Sequence, residues 1–158
     1  MKEKSILLNE SPITIEPGSE NSAMPTGKCL YKSELQDYMI TFDDFTSLIR
    51  IKPNDTLPYI GRGMLRFEFQ DYDGAIADLS VVLAIDPKYS PAYLYRGMAR
   101  MGLKDYILAN DDFCMAIMIA PNFSAAYYTR GRLKIESGDY FNGNMDLNKA
   151  YELGFTDN

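Results

Sequence analysis

The 158-residue chain has no histidine, no tryptophan and only two cysteines. Without histidine it lacks the side chain that most often serves as a general base near neutral pH, and the commonest metal ligand. Cys29 and Cys114 are far apart and neither sits in a CxxC spacing, so both are expected to be free, buried thiols. Positive charge is also scarce. Sixteen basic residues face 22 acidic ones, for a net charge of -6. A protein that neutralises phosphates needs the opposite balance, which argues against nucleic acid and against an anionic membrane surface as partners. No apolar run approaches the ~20 residues of a membrane span. Ile6-Leu7-Leu8 is too short for the core of a signal peptide. These absences together lead us to expect a soluble, cytoplasmic protein.

Catalysis finds little support in what remains. Asp43-Asp44 and Asp111-Asp112 are adjacent carboxylates. Neighbours on a helix point about 100° apart, so neither pair converges on a metal or a substrate. Neither cysteine has a base nearby in sequence. No enzyme activity, no cofactor and no metal are expected.

The chain does contain a repeat. Tyr59-Ile60-Gly61-Arg62-Gly63 returns as Tyr93-Leu94-Tyr95-Arg96-Gly97 and again as Tyr127-Tyr128-Thr129-Arg130-Gly131, each time thirty-four residues on. Asp71-Tyr72, Asp105-Tyr106 and Asp139-Tyr140 keep the same step, as do Ala75 with Ala109 and Pro87 with Pro121. A fixed period of this length marks a stacked-repeat architecture, in which each unit buries its apolar face against its neighbours. Each unit reads as two antiparallel helices, in the clearest copy 57–69 and 74–85. Thr56, Ser90 and Ser124 are placed to accept bonds from the first free amides of the first helices. Pro58 and Pro91 fall in the first turn, where a missing N–H costs little. Asp71, Asp105 and Asp139 are the caps expected for the second helices, and Asp86-Pro87 and Ala120-Pro121 end them. Upstream, Asp37-Tyr38, Asp44, Phe45 and Pro53 keep the register, so a second helix is expected over 39–51. Its partner at 29–36 is degenerate, with Cys29 where glycine recurs. Residues 1–27 carry Pro12, Pro17, Gly18 and Pro25 and read as an extended or disordered leader. The repeat domain is 28–158, with units at 22–55, 56–89, 90–123 and 124–157.

These signals resemble the tetratricopeptide repeat (TPR) family over nearly the whole chain beyond the leader. The resemblance implies an all-α, right-handed solenoid of helix pairs with a concave and a convex face. It implies protein binding rather than catalysis. It also implies that Gly63, Gly97 and Gly131 lie against Ala75, Ala109 and Gly143, with Leu79, Phe113 and Leu147 filling the space beyond. The chain departs from the pattern in three places. Arg66, Arg100 and Lys134 stand where an aromatic is common, Phe155 stands where the closing proline belongs, and the chain stops without the helix that usually covers the last pair. Some relatives clamp acidic chaperone tails with Lys, Asn, Asn, Lys and Arg. The five matching positions here are Ile60, Met64, Tyr95, Ala125 and Thr129, or Thr26, Leu30, Gly61, Pro91 and Tyr95 one repeat earlier. Neither frame supplies a cation.

In the same frame the concave face holds Ile60, Met64 and Phe67, then Leu94, Tyr95, Met98 and Met101, then Tyr128, Arg132 and Ile135. This apolar, methionine-rich trough is the expected peptide-binding groove, favouring an apolar segment over an acidic C-terminal tail. A scaffold or adaptor for a protein partner is therefore the expected function. The alternative is a self-assembly module that forms homo-oligomers, a closed homodimer being the simplest, through its uncovered end and its leader. A charge ladder also recurs, with Lys28, Arg62, Arg96 and Arg130 at one position and Asp44, Asp78, Asp112 and Asp146 at another. Each base has an aspartate sixteen residues ahead, and each arginine has another eighteen behind, across the repeat boundary. Sequence alone leaves both open, and we lean to the pairing across the boundary.

Overall fold

The computed structural model describes residues 42–156, and among them it holds seven α-helices and no strand. They are α1 (Phe42–Ile51), α2 (Thr56–Glu68), α3 (Tyr72–Ile85), α4 (Ser90–Gly102), α5 (Tyr106–Ile119), α6 (Ser124–Glu136) and α7 (Tyr140–Glu152). The expected leader (1–27) and the degenerate helix at 29–36 lie outside the described residues, as do Cys29 and Lys28. α1 lies where the second helix of the divergent first repeat is expected, and α2–α3, α4–α5 and α6–α7 are the three clear pairs.

Local chemistry sets these boundaries, with one correction. Asp71, Asp105 and Asp139 cap α3, α5 and α7 as expected, accepting bonds from the amides of Gly74, Leu108 and Asn142. Thr56, Ser90 and Ser124 do not cap. They are already the first helical residues, and the cap falls one position earlier, on Asp55, Tyr89 and Phe123. Asp55 accepts from Leu57, whereas Tyr89 and Phe123 make no side-chain cap bond. The offset is the same in α6, whose first turn Ser124-Ala125-Ala126 holds no proline, so it belongs to the repeat itself and not to Pro58 or Pro91. Each helix pair turns through one left-handed residue, Gln70 (φ 61°), Lys104 (φ 64°) and Gly138 (φ 87°). The next amide then reaches back to Arg66, Arg100 or Lys134, closing the six-residue bond of a Schellman turn.

The pairs then stack. α2·α3, α4·α5 and α6·α7 pack most extensively, followed by α3·α4, α5·α6 and α1·α2. Contact also runs α2·α4 and α4·α6, while among the described residues α3, α5 and α7 do not touch one another. First helices that meet, with second helices splayed apart, require a curved stack with α2, α4 and α6 on the inner side. Small residues allow the close approach within pairs. A Cβ on Gly97 would lie 2.6 Å from the Phe113 ring, and one on Gly131 would lie 2.9 Å from the Gly143 carbonyl oxygen. Phe113, Leu79 and Val82 are the largest fully buried side chains. The core forms two clusters, one around Leu79, Val82, Leu83 and Ala92 and one around Leu94, Ala109, Phe113, Ala116, Ala126 and Leu133.

Candidate functional site

The inner helices carry every trough position named from the sequence, in varied surroundings. Leu94 is a correction. It is 4% exposed and belongs to the second core cluster, so it offers nothing to a ligand. Its neighbours on α5 and α6 close over it, a degree of cover that periodicity does not specify. Met98 and Met101 are half-buried against that cluster, and Ile60 and Tyr95 against the first. Phe67 meets the ring of Tyr72 at 5.7 Å and that of Tyr95 at 6.4 Å. Ile135 packs on Gly143, inside the α6–α7 seam. Tyr128 is stacked by Phe155 at 4.1 Å, with Tyr151 edge-on at 6.4 Å. The residue standing in for the closing proline thus folds the tail back over one end of the trough. Met64 belongs to neither core cluster and is half-buried, and Arg132 is exposed beside Glu136 at 3.8 Å. The trough is therefore a shallow surface of half-buried methionine, tyrosine and isoleucine.

The charge ladder resolves against our sequence preference. Arg62, Arg96 and Arg130 each form two bonds to the aspartate sixteen residues ahead, within the same repeat, at 2.7–3.1 Å. The remaining nitrogen reaches across the repeat boundary, but to a hydroxyl or thiol sixteen residues behind. Thr46 Oγ1, Ser80 Oγ and Cys114 Sγ accept at 3.2, 3.1 and 3.3 Å. The reason is rotational. Residues sixteen and eighteen behind differ by about 200° around the preceding helix, so only one of them faces the arginine. Asp78 and Asp112, eighteen behind Arg96 and Arg130, point instead to the first helix of their own repeat. Each arginine also lies over the tyrosine three residues earlier, 5.5–6.0 Å from the ring centre.

A second cation joins each carboxylate, a feature the sequence reading missed. Arg66, Arg100 and Lys134 reach Asp78, Asp112 and Asp146 at 3.1, 2.7 and 2.8 Å. These are the three residues that replace the usual aromatic. Their spacing of four from the ladder arginines was the available signal, since it puts both cations on one helix face. Among the described residues, three buried aspartates thus each hold two cations, a structural device shared by all three pairs.

Burial pushes the Asp146 carboxyl up, but bonds from Arg130 and then Lys134 outweigh it and hold the group below the usual carboxylate value. The same bond to Asp146 raises Arg130 further above any working pH. A lowered folded value means that the stabilisation is complete above the unfolded value, about 3.9, and is lost as pH falls through the folded one. Urea midpoints should therefore fall steeply below about pH 4. Asp146→Asn should start lower at neutral pH and show a flatter acid limb, and parallel limbs would remove Asp146 from the account.

The fold and this inner surface define a class of protein, the tetratricopeptide-type helical repeat. No family model matches the chain, and no curated protein matches it. Solved structures do. MamA superimposes with a TM-score of 0.67 at 20% identity, over 71% of this chain and 66% of that one. MamA 41-end from Desulfovibrio magneticus RS-1 gives the same TM-score and identity over 71% of this chain and 63% of that one. The Arabidopsis OM64 TPR domain gives 0.58 at 28% identity, over 60% and 78%. The first TPR of Spaghetti (RPAP3), bound to the HSP90 peptide SRMEEVD, gives 0.60 at 22% identity, over 61% and 77%. The chain spans slightly under two thirds of the two MamA chains. Among the described residues no group of acidic or cysteine side chains could hold a metal, and no helix is long and apolar enough to cross a membrane.

Proposed function

We propose that the protein is a non-catalytic adaptor whose inner surface, formed by α2, α4 and α6, binds an apolar peptide or helix of a partner protein. The observation that carries this reading is the contact pattern, which puts three consecutive first helices side by side on the inside of the curve. Their outward positions are methionine, tyrosine and isoleucine, with Arg132 the one cation among those named. The neighbour bound to SRMEEVD shows that this fold takes peptides. Here Ile60, Met64, Tyr95, Ala125 and Thr129 stand where a carboxylate clamp would need cations and amides, which favours an apolar segment over an acidic tail. Met64→Glu tests the reading, because Met64 lies outside both core clusters. Binding of an apolar partner peptide should weaken by about 1–3 kcal/mol, the scale of burying one such side chain, with thermal stability little changed. Binding unaffected by the glutamate, measured by calorimetry, would move the ligand off this surface.

Self-assembly is the second reading, and α7 favours it. Phe141, Met145 and Tyr151 are all exposed on this last described helix. A homodimer covering them would be concentration-dependent in sedimentation and insensitive to Met64→Glu.

A further inference from the structure

The most exposed apolar side chains lie away from the inner surface. Phe69 (81%), Ile107 (78%) and Phe141 (75%) sit at or beside the turns that join each first helix to its second, along one edge of the stack. At the last junction this edge is indented. A cleft of about 400 Å³ opens between the start of α5 and the α6–α7 turn, walled by Tyr106, Ile107 and Leu133 and rimmed by Asp111 and Asp139.

One substitution sets this junction apart from the one a repeat earlier. At the earlier junction the Tyr72 ring covers Gly102, where a Cβ would come within 2.6 Å of it. Thirty residues separate these partners, and the equivalent pair is Tyr106 and Glu136. The bare backbone that seats Tyr72 is thus lacking opposite Tyr106, which is 39% exposed and lines the cleft together with Leu133. The position of Ile107 is Asp73 in the preceding repeat, so the apolar wall also begins only here.

We propose that this cleft is a second docking surface, taking one branched or aromatic side chain from a partner helix that carries Lys or Arg within a turn of that anchor. Charge selects the occupant. Lys134 lines the cleft with its ammonium turned to Asp146 at 2.8 Å, and since Arg130 shares that carboxylate the group keeps one positive charge, which the two carboxylates Asp111 and Asp139 on the rim outnumber. A second copy of this chain would bring a net charge of -6 to an acidic rim, and an anionic membrane would be repelled likewise. A basic amphipathic helix satisfies both the apolar walls and the rim. The volume falls within the ~300–1,000 Å³ of ordinary binding clefts and is enough for a single anchor.

The test is selection of a displayed library of random 16-residue peptides against the intact chain, with Ile107→Asp, Asp111→Lys and Met64→Glu as comparison proteins. Both edge substitutions alter exposed side chains. Enriched peptides should pair an aliphatic or aromatic residue with Lys or Arg three or four positions away. Their affinity should fall at least tenfold with Ile107→Asp and at least fivefold with Asp111→Lys, and stay level with Met64→Glu. The proposal fails if the enriched peptides respond to Met64→Glu alone, if they show no basic bias, or if none responds to Ile107. It fails equally if sedimentation shows self-association that Ile107→Asp abolishes, since the cleft would then belong to a second copy.

Discussion

Asp112→Ala is expected to cost about 3–5 kcal/mol of folding stability, because it leaves two half-buried arginines facing each other without their shared carboxylate. The aspartate is 2% exposed. Arg96 binds it at both oxygens, 2.7 and 3.1 Å, and Arg100 binds it at 2.7 Å. Arg96→Ala should cost more than Arg100→Ala. Only Arg96 makes the two-pronged bond, reaches back to Ser80 and lies over Tyr93. Arg100 is not neutral, however, and its loss should be measurable, in contrast to an exposed pair such as Lys149 with Glu152. Replacing all three charges with leucine and methionine should recover most of the loss, since the penalty lies in the unpaired charge and not in the absence of a bridge. Urea denaturation of the four variants checks the order. Equal, near-zero effects throughout would mean that the triad is solvated and holds nothing.

Phe113→Ala should be equally damaging, at about 3–5 kcal/mol, the usual cost of an emptied aromatic site in a packed interior. Phe113 is fully buried and lies in van der Waals contact with the bare backbone of Gly97. Gly97→Ala should cost about 1–3 kcal/mol, because its new methyl would have to displace that ring or the Ala109 carbonyl behind it. Combining the two changes tests the contact itself. The ring removed by one change is the obstacle met by the other, so the double variant should lose clearly less than the two single losses added. Strict additivity in calorimetric melts would separate the two sites and refute the packing described for the α4–α5 seam.

Both experiments probe what lets this stack present surfaces at all. A solenoid has no central core, so its curvature depends on each pair being rigid and on each junction being held at one angle. The arginine ladder acts at both levels, with two bonds inside its repeat and one to the repeat before. The inner surface and the outer cleft are then set by the residues left over once the seams are filled.

Much of this architecture was legible from residues alone. The thirty-four-residue period placed the helix pairs to within a residue or two, and Asp71, Asp105 and Asp139 marked the starts of α3, α5 and α7 because capping is local chemistry. The absence of histidine and the acidic balance narrowed what function to expect before any fold was considered. A period also states which side chains are equivalent, and so it found the ladder. It does not state which way each side chain faces, because that depends on how one helix is rotated against the next. Packing therefore chose the aspartate sixteen residues ahead over the one eighteen behind, and turned Thr46, Ser80 and Cys114 toward the arginines. It gave Arg100 a carboxylate, took Leu94 from the groove into the core, and seated Phe155 on Tyr128. The cleft beside Tyr106 was illegible for the same reason: its walls come from α5, α6 and the turn before α7, and they face one another only once those helices have packed.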